Sequence, residues 1–72
     1  MKIRIEMDKI EVIVEQTSTG YSAYAKNYPA FTTGESLSDL KSNMVESINL
    51  FLEMEGQGKS VSQHNLAFLI MD

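Results

Sequence analysis

Cysteine and tryptophan are both missing from this 72-residue chain, and proline and histidine each occur once. Without cysteine there is no disulfide to staple a small fold. There is also no thiolate to attack a substrate or hold zinc. The one histidine, His64, sits in Ser62-Gln63-His64-Asn65 with no companion at metal-ligand spacing, and no HExxH run is present. It reads as a loop hydrogen-bonding residue. Positive charge is scarce too: six basic against ten acidic side chains leave a formal charge of −4. Lys2, Arg4, Lys9, Lys26, Lys41 and Lys59 are scattered along the chain. A duplex-binding module shows a basic face, so direct nucleic-acid binding is not expected. No apolar run approaches the roughly 20 residues that span a bilayer, so no membrane role is expected. The opening MKIRIEMDKIEVIVEQ alternates with acidic residues, whereas a signal peptide has a continuous apolar core. Cytoplasm is the expected compartment, which the lack of cysteine permits.

What is present fits one domain over residues 1–72. A chain this short buries only about 60% of its unfolded surface, so burial in an oligomer or complex carries weight. Residues 2–6 alternate weakly, with Ile3 and Ile5 opposed to Lys2, Arg4 and Glu6. They leave room for an additional N-terminal strand in an initial hairpin. Residues 10–15 alternate more clearly: Ile10, Val12 and Val14 on one face, Glu11, Ile13 and Glu15 on the other. Thr17-Ser18-Thr19-Gly20 reads as a turn. Tyr21–Ala25 follows as a strand whose alanines permit close approach of another layer. Pro29 lacks an N–H, which makes 27–30 a crossing or an edge. Phe31–Thr33 returns as a third strand, ending at Gly34.

Ser36 is a strong N-cap, with Asp39 three residues on as its capping-box partner. Leu37, Leu40, Met44, Ile48 and Phe51 then recur at three- and four-residue intervals, and Val45 and Leu52 widen the stripe. The spacing predicts an amphipathic helix over 37–55, stopped by Gly56 and Gly58. Ser42, Asn43, Glu46, Asn49 and Glu53 form its polar side. Residues 59–65 are polar and turn-like, and the apolar run 66–71 reads as a covered terminal strand. The expected class is therefore α+β: a three-stranded antiparallel meander, one long helix across a face of the sheet, and a terminal strand (β-β-β-α-β).

Chemistry is harder to find. Glu6, Asp8, Glu11 and Glu15 lie in or near the first strands, and Glu11 and Glu15 share a face about 13 Å apart. Glu35 and Asp39 suit the positive start of a helix dipole. No GxSxG elbow is present. The four glycines are too dispersed for GxGxxG, and Gly56-Gln57-Gly58 follows a helix where a phosphate loop precedes one. No catalytic, metal-binding or cofactor-binding residue is assigned, no cofactor is expected, and the chain reads as a non-enzyme. Six aromatics, Tyr21, Tyr24, Tyr28, Phe31, Phe51 and Phe68, have core or contact uses without a basic groove beside them. A half-exposed tyrosine suits an interface, since its ring buries area while its hydroxyl finds a partner. Tyr21, Tyr24 and Tyr28, with Glu46 and Glu53 on the helix, are the candidate protein-contact residues. A homodimer through a sheet edge or the helix surface is expected.

One ordered series goes further. Val12-Ile13-Val14-Glu15, Gly20-Tyr21-Ser22-Ala23-Tyr24, Pro29 and Thr33-Gly34-Glu35-Ser36-Leu37 lead into Asn43, Glu46, Ile48, Leu50, Phe51, Leu52 and Glu53. Over about two-thirds of the chain this resembles the HicB-like antitoxin domain. Two departures stand out: Pro29-Ala30 where the pattern usually has Pro-Gly, and Leu40 where it has alanine. The resemblance implies a partial ribonuclease-H-like β-β-β-α-β fold. It also implies neutralisation, by association, of a small basic ribonuclease toxin of the HicA type. Many members add a helix-turn-helix or ribbon-helix-helix segment for operator binding. Residues 1–72 hold the single domain alone, so a solitary or truncated form is expected, with any DNA contacts supplied by another protein. The alternatives are an orphan structural or oligomerisation domain without a toxin, and a metal-dependent nuclease.

Overall fold

The computed structural model describes residues 9–56 and 58–71. Strands β1 (Ile10–Thr17), β2 (Gly20–Ala25) and β3 (Phe31–Gly34) are followed by helix α1 (Leu37–Met54), a short 3-10 turn (Gln63–Asn65) and strand β4 (Leu66–Met71). This is the β-β-β-α-β order that the alternation, the cap and the closing apolar run predict. The extra strand expected over residues 2–6 lies outside the described residues.

The sheet order is β3-β2-β1-β4. β1–β2 and β2–β3 are antiparallel, as a meander requires, with Val12 opposite Ala25 and Tyr24 opposite Phe31. β4 returns parallel to β1, with Ile10 opposite Leu66 and Glu15 opposite Met71. A parallel return needs a long crossover, and α1 supplies it. Both sides of β1 are thereby paired.

Period-two alternation sends Val12 and Val14, then Ala23 and Ala25, to the inner face, where all four are buried. Leu66 joins them from β4, and Ala30 from the crossing. The alanine that departs from the Pro-Gly pattern thus puts its methyl into the core, while its carbonyl accepts the Ala25 amide at 3.0 Å.

Ser36 caps α1 as expected. Its Oγ accepts the Asp39 amide at 3.1 Å, while the reciprocal bond to the Asp39 carboxylate does not form among the described residues. Leu40, Met44, Ile48 and Leu52 are buried, a straight row at four-residue steps. Leu37, Val45 and Phe51 flank it half-buried. Leu52 therefore holds the central place the spacing assigned to Phe51, whose ring instead meets Tyr28 edge-on at 5.9 Å. Gly56 follows the helix with φ +68°, a left-handed turn open to residues without a Cβ.

Gly34 lets the helix reach the sheet. A Cβ there would stand 2.6 Å from the Leu40 nitrogen and 2.8 Å from its Cα. The larger residue at Leu40 fits because the strand end opposite it carries no side chain. α1 packs closest to β3 and β2. The far end of β4 escapes it, so the terminal strand is covered only in its first half. Leu66 is buried, but Leu69, Ile70 and Met71 are 43%, 49% and 52% exposed.

Candidate protein-binding surface

Two outward faces lie on opposite sides of the molecule. The first is the polar side of α1. Helical spacing brings Asn43, Glu46, Asn49, Leu50 and Glu53 together, and Thr32 of β3 borders them. They line an open hollow of about 600 Å3. Two asparagines fasten this face to its surroundings. Asn43 Nδ2 donates to the Thr33 carbonyl at 2.9 Å. Asn49 Nδ2 donates to the Val61 carbonyl at 3.0 Å, and its Oδ1 accepts the Val61 amide at 2.7 Å. Asn49 thus pairs with Val61 as a strand residue would, and holds the chain on its way back to the sheet. Glu46 stands exposed between these anchors, and Glu53 one turn beyond Asn49.

The second face is the outer side of the sheet. The strand registers align Phe31 with Tyr24, Tyr24 with Ile13, and Ile13 with Leu69. One apolar row therefore crosses all four strands. A polar row lies beside it, with Thr33, Ser22 and Glu15 in register. On the other flank Lys26 Nζ and Glu11 Oε1 pair at 3.1 Å, both half-exposed. Such a pair contributes about 0–1 kcal/mol; its effect is to border the apolar row with charge.

The five expected contact residues divide between these places. Glu46 and Glu53 share the helix face. Tyr24 alone among the tyrosines is exposed, at the centre of the outer sheet row. Tyr21 packs half-buried against the core, and Tyr28 lies on Phe51. A flat partner touching the two glutamates does not reach Tyr24. Sequence reasoning missed the apolar row, although alternation placed Ile13 on the face opposite Val12 and Val14. What makes them neighbours is strand register, which no local pattern carries.

Among the described residues no three His, Cys, Asp or Glu side chains gather where they could hold a metal ion. His64 is exposed in the 3-10 turn, which is closed by the Asn65 amide on the Ser62 carbonyl at 2.9 Å. Asn65 Oδ1 also accepts the Ser62 amide at 3.0 Å. The Lys41 ammonium lies 5.4 Å from the Phe68 ring centre, a cation–π contact on the inner side of β4. No helix among the described residues is long and apolar enough to cross a membrane. Comparison with protein-family models, with curated proteins and with solved structures finds no match.

Proposed function

We propose that this chain is an antitoxin-like binding module that neutralises a small basic ribonuclease toxin by association. The observation that carries the reading is the α1 face: Glu46 and Glu53 point outward on a helix anchored at Asn43 and Asn49. Asn43, Glu46 and Glu53 are residues of the HicB-like series, in the element order that the resemblance implies. A rigid acidic face suits a basic partner, and a formal charge of −4 speeds encounter with it. Inhibition then follows from coverage of the toxin's RNA-binding surface, with no chemical step on this chain.

The test is direct. The purified chain is mixed with the small basic protein encoded in the adjacent reading frame. Binding is followed by calorimetry, and RNA cleavage by gel. Expected are a stoichiometric complex below micromolar concentration and suppressed cleavage. Glu46→Lys with Glu53→Lys should weaken binding at least tenfold, with the larger loss at low salt. No complex at micromolar concentration overturns the reading. The second reading, an orphan oligomerisation domain, is favoured by the uncovered apolar end of β4. It predicts self-association and no toxin-like neighbour.

A further inference from the structure

We infer that β4 is a self-association edge: two copies pair their β4 strands antiparallel about a two-fold axis, joining two four-stranded sheets into one of eight strands. This goes beyond the antitoxin reading and does not rest on it. Among the described residues the sheet has two edges, β3 and β4. An edge strand presents unpaired N–H and C=O groups, and proteins guard such edges with charges, proline, bulges or shortness. β3 is guarded: it has four residues, with Pro29 just before it and Glu35 just after. β4 runs six residues, Leu-Ala-Phe-Leu-Ile-Met, with no charge, proline or glycine.

The exposed side chains say how this edge is covered. Leu69 and Met71 point to the outer face and Ile70 to the inner, by their registers with Ile13, Glu15 and Val14. All three are about half exposed. A lid on one face would leave the other bare. A strand added in the plane of the sheet flanks both faces at once and satisfies the backbone groups. The absence of charge in β4 argues against a partner chosen by charge and fits a like strand. A two-fold pairing also sets the Leu69 end of each apolar row beside its copy. Opposite residues of an antiparallel pair share a face, so at most about five residues of β4 pair with their copies, a small interface below the roughly 800 Å2 per partner of standard ones. A reversible dimer in the micromolar range is therefore expected. Each copy carries −4, and salt screens that repulsion over about 8 Å at physiological strength. Dimerisation should strengthen with salt, whereas binding to a basic toxin weakens.

Sedimentation velocity of the full chain from 1 μM to 1 mM, at low and high salt, tests this. A monomer–dimer equilibrium strengthened by salt is expected. Leu69→Lys with Met71→Lys should raise its dissociation constant at least tenfold, and Phe31→Lys on the far edge should leave it unchanged. Amide exchange of the unsubstituted chain serves as a second readout in case a variant misfolds. Protection of residues 66–71 should rise with protein concentration, while that of residues 31–34 stays constant. A monomer throughout overturns the proposal. So does an equal effect of Phe31→Lys, which would assign association to the sheet face. If only a chain lacking residues 1–8 dimerises, the edge belongs to the protein's own leading segment and the proposal also fails.

Discussion

Ile48 offers the sharpest test of how α1 meets the sheet. Its side chain is 0% exposed, at the middle of the row Leu40, Met44, Ile48 and Leu52. Ile48→Ala removes three carbons, about 2.4 kcal/mol of transfer free energy at about 0.8 per methylene. A residual cavity of roughly 50 Å3 adds about 1 kcal/mol. The sum, about 3–4 kcal/mol, is a large part of the roughly 4–11 kcal/mol expected for a domain of this length. Ile48→Val, at about 0.5–1.5 kcal/mol, keeps the measurement within range should the alanine variant unfold. Leu50, two residues on and 58% exposed, is the control: Leu50→Ala should change stability by no more than about 0.5 kcal/mol. The assay is urea denaturation followed by far-UV circular dichroism at one fixed protein concentration. The Ile48→Ala midpoint should fall by about 1–3 M. Equal midpoints for Ile48→Ala and Leu50→Ala would refute the phase of the helix and every face assigned from it.

Gly34→Ala should cost about 1–3 kcal/mol, because the new methyl meets Leu40 backbone atoms at 2.6 and 2.8 Å; thermal denaturation should show a Tm lower by at least about 4 °C. Asn49→Ala strands both backbone groups of Val61, for a loss of about 1–3 kcal/mol and faster exchange of the Val61 amide. Asn49→Asp, which keeps the acceptor and loses the donor, should fall between. Ser36→Ala removes the acceptor for the Asp39 amide and should cost about 0.5–2 kcal/mol, while Ser36→Gly costs a few tenths; denaturation midpoints separate the two.

Elements whose signals are local were legible in the sequence. β1 shows alternation, α1 its cap and stripe, β2 and β3 their turn residues, and β4 its apolar run. Each depends on neighbours within a few positions. Interactions between elements were not legible. The Asn49–Val61 pairing joins a helix to a return segment, and an asparagine on a polar face announces nothing of it. The alignment of Phe31, Tyr24, Ile13 and Leu69 depends on three separate registers. The exposure of Leu69, Ile70 and Met71 runs against the expectation that a continuous apolar strand is covered on both sides. For Ile70, on the inner face, it arises because α1 lies toward β3 and β2; Leu69 and Met71 lie on the outer face, which the helix does not cover. Of the candidate site, the two glutamates on one helix face were readable from helical spacing. Tyr24 stands on the opposite face from Tyr21 by alternation within β2, whereas the place of Tyr28 against Phe51 follows from the crossing between β2 and β3.

The parallel seam between β1 and β4 has a consequence for biosynthesis. β1 precedes β2 in the chain and can pair with it early, but its second side waits until β3, α1 and β4 have been translated. Contacts so distant in sequence form slowly. Each nascent molecule therefore passes through an interval in which the strand carrying Val12, Ile13 and Val14 is half unsealed, and on a crowded message neighbouring chains meet in that state. The rate at which residues 66–71 dock sets how long newly made protein stays vulnerable to mispairing. A substitution in β4 that is harmless to the finished molecule can thus lower its yield in the cell.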